Sequence, residues 1–165
     1  MTIKLNGSCR CGTVAFTCES HMPQPYQRCY CSICRKTAGG GGFAINIMAT
    51  SASTAIKDRN NAIAVYRAEI ADDDGACRIS TGERNACSRC ATALWLYDPT
   101  WPDLIHPFAS AIDTPLPDPV ASVHLMLDFK PDWVQPQIGP EDVCYPRYPE
   151  LSIEDWHKRH GVWID

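Results

Sequence analysis

Alternation of apolar and polar positions recurs along the chain and predicts strands far more often than helices. Thr13-Val14-Ala15-Phe16-Thr17-Cys18 alternates in character, is rich in β-branched residues and follows a glycine turn at Gly7. After the proline-broken stretch Met22-Pro23-Gln24-Pro25, Tyr26 to Cys29 reads as a short extended piece and Ser32 to Ala38 as a single helical turn. Phe43 to Met48 is the next strand, with Phe43, Ile45 and Ile47 on one face. Small and polar residues from Ala49 to Asn61 read as a surface loop. Ala62 to Ala68 and Cys77 to Gly82 form two further strands across the solvated turn Asp72-Asp73-Asp74-Gly75. The apolar run Ala91 to Tyr97 is the strongest buried strand. Leu104 to Ser110 and Ser122 to Phe129 supply two more, on either side of the proline-punctuated Asp113 to Pro119. Ser152, with an acid three residues on at Asp155, caps a short helix that stops at Gly161. Trp95, Tyr97 and Trp133 are assigned to the core.

The expected fold is mostly β with a short C-terminal helix, and 165 residues suffice for one domain with a core of its own. A net charge of −4 and a pI near 5.7 exclude a polyanion as main partner, so no nucleic acid is expected. No apolar run approaches the roughly 20 residues of a membrane helix, so no membrane is expected either. The N-terminus Met1 to Asn6 lacks the apolar core of a signal peptide, which places the ten cysteines in a reducing cytoplasm. A homo-oligomer is compatible with this composition, which fixes no oligomeric state.

Cysteine spacing changes the picture. Cys29-Tyr30-Cys31-Ser32-Ile33-Cys34 puts three thiols within one tight turn. At C-x-C-x-x-C spacing they can take three corners of a zinc tetrahedron and leave the fourth free for water or substrate, as catalytic zinc sites do. Two further pairs, Cys9/Cys11 and Cys87/Cys90, form the halves of a closed four-thiolate site, which would be structural and contribute directly to folding. Two zinc ions per chain are therefore expected, zinc being preferred for all-thiolate ligation. Cys18, Cys77 and Cys144 stand alone and read as small buried apolar side chains.

The order C-x-C-G, C-x-C-x-x-C-R-K, C-x-x-C, Asp113-x-Pro115 and a strand carrying His124, with Trp133 nine residues on, resembles the glutathione-dependent formaldehyde-activating enzyme family, which also includes centromere protein V. The resemblance runs from about Gly7 to Trp133 and leaves residues 134–165 as a C-terminal extension. It implies twisted antiparallel sheets around two zinc sites. It also implies structural zinc on Cys9, Cys11, Cys87 and Cys90, catalytic zinc on Cys29, Cys31 and Cys34, and S-(hydroxymethyl)glutathione synthase activity, a carbon–sulfur lyase reaction. Three positions depart from the family pattern without removing a ligand: Ala86 before Cys87, Ala91 in place of glycine after Cys90, and Tyr30 where histidine is frequent. Ala91 matters if the backbone there needs a positive φ.

The substrates implied are a small thiol and an aldehyde. Glutathione carries two carboxylates, and Arg28, Arg35 and Lys36 are the nearest cationic partners. The run Gly39 to Gly42 allows close approach to the backbone or forms a plain turn, and it matches no phosphate loop. His124 and His106 are the proton-transfer candidates. Two other readings stand beside the enzyme: a zinc-stabilised binding module, and a thiol redox protein using Cys31 and Cys34. No G-x-S-x-G motif supports hydrolase chemistry.

Overall fold

A computed structural model describes all 165 residues. Eleven strands and two short helices follow in the order β1 (Ile3–Ser8), β2 (Val14–Met22), β3 (Gln27–Cys29), α1 (Ser32–Thr37), β4 (Ala44–Ile45), β5 (Met48–Asp58), β6 (Ile63–Ala71), β7 (Cys77–Cys87), β8 (Ala93–Tyr97), β9 (Leu104–Pro107), β10 (Val123–Leu125), β11 (Val143–Cys144) and α2 (Ile153–Arg159). Seven strands make an antiparallel sheet in the order β1-β2-β5-β9-β8-β7-β6. The other four make a small mixed sheet, β11-β10-β3-β4, in which β10 runs parallel to both its neighbours. The main core lies on the large sheet, where Leu5, Phe16, Ile47, Leu94, Trp95 and Ile105 pack together. Phe16 meets Trp95 edge to face, with ring centroids 5.2 Å apart.

The large sheet cannot be flat. Strands β2 and β7 are four steps apart in it, which a flat sheet would place about 19 Å from each other at its usual strand spacing. Yet Cys11 Sγ, just before β2, lies 3.8 Å from Cys87 Sγ at the end of β7. The sheet therefore curls back on itself. Register shifts supply the bends, at Thr17/Glu19 and Glu19/Met22 between β2 and β5, and at Asn85/Ala86 between β7 and β8.

Several elements differ from the sequence expectation. Residues 49–61 are mostly strand, not loop: β5 runs to Asp58 and pairs with β2 along most of its length. Its threonines and serines support a ladder made by the backbone, so no apolar alternation was needed to form it. Phe43 to Met48 is not one strand. Ala44 and Ile45 join β3 in the small sheet, and Met48 begins β5 in the large one. Gly7 sits inside β1 rather than in a turn, because the Phe16 ring packs against it: a Cβ there would fall 2.4 Å from Phe16 Cζ. The strand expected over Ser122 to Phe129 stops at Leu125, where Met126 turns left-handed at φ 62° and a 3-10 turn follows. Trp133 is 68% exposed and outside the core, whereas Trp95 is buried as expected. Of the three lone cysteines only Cys18 is buried; Cys77 is exposed because it begins β7 in the solvated β6–β7 hairpin, beyond the reach of β8, and Cys144 because β11 is an edge of the small sheet.

The C-terminal helix begins where expected, with Ser152 Oγ accepting the Asp155 N–H at 3.0 Å. It buries Trp156 flat against Tyr26 beside β3, with centroids 3.6 Å apart, and His157 beside it accepts the Gln24 N–H. This second cluster, with Val123 and Leu125, anchors the C-terminal segment to the small sheet. Trp156→Ala should cost about 3–5 kcal/mol in chemical denaturation, the range for deleting a buried aromatic ring. Limited proteolysis of the same variant should cut first after residue 145, where the segment loses its anchor.

Candidate active site

Two cysteine clusters carry the chemistry. Cys9, Cys11, Cys87 and Cys90 converge with all sulfurs within 4.8 Å of one another, as do Cys29, Cys31 and Cys34. All ten cysteines are free thiols, so none of these sulfurs is held in a disulfide. Soft thiolate donors at this spacing fit a cation such as zinc.

The four-sulfur cluster is built from two similar turns. Cys9 N–H donates to Val14 O at 2.9 Å and Cys87 N–H to Thr92 O at 2.9 Å, so each turn closes on the start of the next strand. Thr13 lies 3.2 Å from Cys11 Sγ and Thr92 lies 3.2 Å from Cys90 Sγ. By donating to the thiolate, the Thr92 hydroxyl holds Cys90 down near 5, and Cys11 is lowered chiefly by its contacts with Thr13. Each turn ends on a left-handed residue directly after its second cysteine: Gly12 at φ 72° and Ala91 at φ 59°. Ala91 therefore pays the Cβ penalty that a glycine would avoid.

The three-sulfur cluster spans the end of β3 and the start of α1. Cys31 caps the helix, its sulfur accepting the Cys34 N–H at 3.3 Å. Cys34 is buried, whereas Cys29 and Cys31 keep partial exposure. Hydrogen bonding among the sulfurs splits their titration. Cys29 is pushed far up by its bonds to Cys31 and Cys34, and Cys31 is pulled down chiefly by the bond from Cys29. Cys34, although the bond from Cys29 favours its thiolate, ends near 11 because Cys31, burial and the Cys31 charge all oppose it. One thiolate is thus welcome in this cluster and a second is not, unless a cation shares the charge.

A cation of the large sheet reaches these sulfurs. Arg84 on β7 lowers Cys34 through its charge, and both its Nε and Nη1 are buried without a partner. The Nε atoms of Arg28 and Arg35 are likewise buried and unpaired. Buried donors are normally satisfied, so the unpaired Nε and Nη1 of Arg84 beside Cys34 point to an anion there. Arg84 was not singled out from the sequence. It lies two residues past the strand expected over Cys77 to Gly82, and only the longer β7 and its register carry it to Cys34.

A cavity of about 670 Å³ opens next to the cluster, within the range of small-molecule sites. Arg35, Lys36, Gly39 and Gly40 line one wall, and Arg10 and Thr92 line the other. It does not include the three sulfurs but starts one residue beyond Cys34. Of the predicted substrate contacts, Arg35 and Lys36 face this cavity. Arg28 instead lies over the Phe43 ring, 5.5 Å from its centroid. Gly39 and Gly42 are fixed by packing: a Cβ would fall 1.9 Å from Phe43 O at the first and 2.4 Å from Val134 Cγ2 at the second.

His124 does not face the cavity. Its side chain is fully buried, with Nδ1 2.9 Å from Tyr30 Oη and Nε2 3.2 Å from Asp142 Oδ2. A carboxylate only accepts, so Nε2 donates to Asp142, and in that tautomer Nδ1 accepts from the Tyr30 hydroxyl. His106 sits on β9 against Trp101, and burial depresses it to about 4 despite the pull of Asp98, which leaves it neutral at pH 7.

Comparison with known proteins assigns the chain to a family. The profile of the glutathione-dependent formaldehyde-activating enzyme family matches residues 4–125. A Halomonas elongata protein whose name assigns it to that family is 54% identical over 158 residues, 96% of this chain and 97% of its own length. The chain belongs to the glutathione-dependent formaldehyde-activating enzyme family. A crystal structure of a Rhodobacter sphaeroides protein, 19% identical, superposes with a TM-score of 0.49 over 68% of this chain and 91% of that one. No helix is long and apolar enough to cross a membrane.

Because Ala91 is exposed and its φ is positive, Ala91→Gly removes a backbone penalty and loses no buried contact. It should raise the unfolding free energy by about 1 kcal/mol, read as a shift in denaturant midpoint at unchanged m-value.

Proposed function

We propose that the chain adds a thiol, with glutathione first in line, to formaldehyde or another small aldehyde, acting as an S-(hydroxymethyl)glutathione synthase of the carbon–sulfur lyase class. The observation that carries this reading is the pair of unequal cysteine clusters, one with four sulfurs and one with three. Four thiolates close a tetrahedron, so Cys9, Cys11, Cys87 and Cys90 would hold a structural zinc. Three leave a position for substrate, so Cys29, Cys31 and Cys34 would hold a second, reactive one. Zinc bound there would favour the thiolate form of a substrate thiol near neutral pH.

The protein's own groups then bind and orient. Arg35 and Lys36 meet the carboxylates of the thiol from the cavity wall, and Gly39 and Gly40 let its peptide backbone lie close. Arg84 beside Cys34 offsets the excess negative charge that three thiolates leave on a divalent ion. In the reaction the sulfur lone pair forms a C–S bond with the carbonyl carbon. The C=O π pair moves to oxygen, which takes up the proton that the thiol released, so no oxidant or reductant is needed. Free thiols throughout suit a reducing compartment, which we take to be the cytoplasm.

The test is exchange between formaldehyde and its glutathione adduct, followed by NMR with and without the protein. Exchange should accelerate with the wild-type chain and return to the uncatalysed rate with Cys34→Ser, while metal analysis falls from two zinc ions per chain to one. Acceleration absent in a protein carrying both ions would sink the enzyme reading and leave a zinc-stabilised binding module. Arg35→Ala with Lys36→Ala should raise KM for glutathione about tenfold, the worth of one charge-assisted hydrogen bond. The same variant should leave KM for 2-mercaptoethanol, which has no carboxylate, unchanged.

A further inference from the structure

The segment beyond the family match reaches back to the three-cysteine turn by two routes. The first is packing. Val134, nearly fully buried, presses against Gly42 at the end of the glycine run. The second is polar, and nothing in the packing of a core demands it. Asp142, immediately before β11, is fixed by backbone donors: Ser122 N–H gives to Oδ1 at 2.7 Å and Gly139 N–H to Oδ2 at 2.8 Å. Oδ2 also accepts from His124 Nε2, and His124 Nδ1 accepts from the Tyr30 hydroxyl. Tyr30 stands between Cys29 and Cys31 in sequence, and its ring is fully buried while both neighbours stay partly exposed.

We propose that Tyr30, His124 and Asp142 form a buried strut by which the C-terminal segment positions the Cys29, Cys31 and Cys34 sulfurs and sets how tightly they hold their cation. The proposal rests on the reading of that cluster as a zinc site. Every polar atom along the strut has a partner, and a fully satisfied network in a low-dielectric interior selects one arrangement over its neighbours. A phenylalanine at 30 would fill the same space without selecting it. The turn has little freedom of its own once Tyr30 is held: one backbone link on each side joins Tyr30 to a sulfur-bearing residue. Its N–H is also tied, donating to Leu125 O at 3.0 Å. None of the three touches a sulfur, so they are positioning residues, comparable in effect to the outer partners of metal ligands.

The experiment uses the full chain loaded with zinc and titrated with a chromophoric chelator, alongside the cobalt-substituted chain in visible absorption. Tyr30→Phe and Asp142→Asn should each weaken the three-cysteine site about tenfold and shift its cobalt bands, with the four-cysteine site unchanged. The double variant should be no weaker than the stronger single one, because the same strut is cut once. Tyr30→Phe decides the matter should Asp142→Asn fail to fold, since it removes one oxygen and keeps the ring. Wild-type affinity and unchanged cobalt bands in Tyr30→Phe overturn the strut. A wild-type chain that binds metal only at the four-cysteine cluster overturns the zinc reading itself and the strut with it, a failure visible before any variant is made.

Discussion

The meeting of two turns 76 residues apart, Cys11 against Cys87, is the constraint on which the rest of this fold depends. Strands that belong to opposite halves of a seven-stranded sheet are brought to one point, and the sheet must bend to allow it. The bulges between β2 and β5 and between β7 and β8 are where the ladder gives way. A cation shared by four thiolates there would convert ligand binding into folding energy, because the unfolded chain has no preformed site. The positive φ at Ala91 is a local strain tolerated because the closure around it is worth more.

Bending the sheet also makes the floor of the second cluster. Arg84 on β7 comes to lie by Cys34 of α1, and Ala93 on β8 and Phe108 beyond β9 pack with Cys34 and Ala44. The three-cysteine turn therefore sits between two sheets: β3 delivers it from the small sheet, and the large sheet supplies its counter-charge. The two unpaired guanidinium nitrogens of Arg84 would be costly in a purely structural site, and they make sense beside an anionic ligand. The cavity beyond Cys34, walled by Arg35 and Lys36, gives such a ligand room.

The C-terminal extension completes the frame from the far side. Trp156 on Tyr26 seals the start of β3, Val134 seals the glycine run, and Asp142 reaches Tyr30 through His124. A histidine predicted for proton transfer thus turns out to be fully enclosed, with both nitrogens engaged by the protein itself. Its strand placement was right, and its role could not be read without knowing that β10 lies beside β3.

The sequence by itself determined whatever local chemistry encodes: the two cysteine turns and their pairing, the three-thiol turn, the capped C-terminal helix, and most strands with apolar alternation. It also located the backbone position, Ala91, whose φ had to be checked. Strands β1 and β5 were not legible, because one contains a glycine that serves packing and the other draws its stability from partners rather than from its own side chains. Only the tertiary structure decided that Arg84 reaches Cys34, that Trp133, Cys77 and Cys144 are exposed, and that Asp142 meets Tyr30 through His124. The reason is common to all of these. Contacts between residues dozens of positions apart depend on strand order and register, and no spacing along the chain encodes where a sheet will bend.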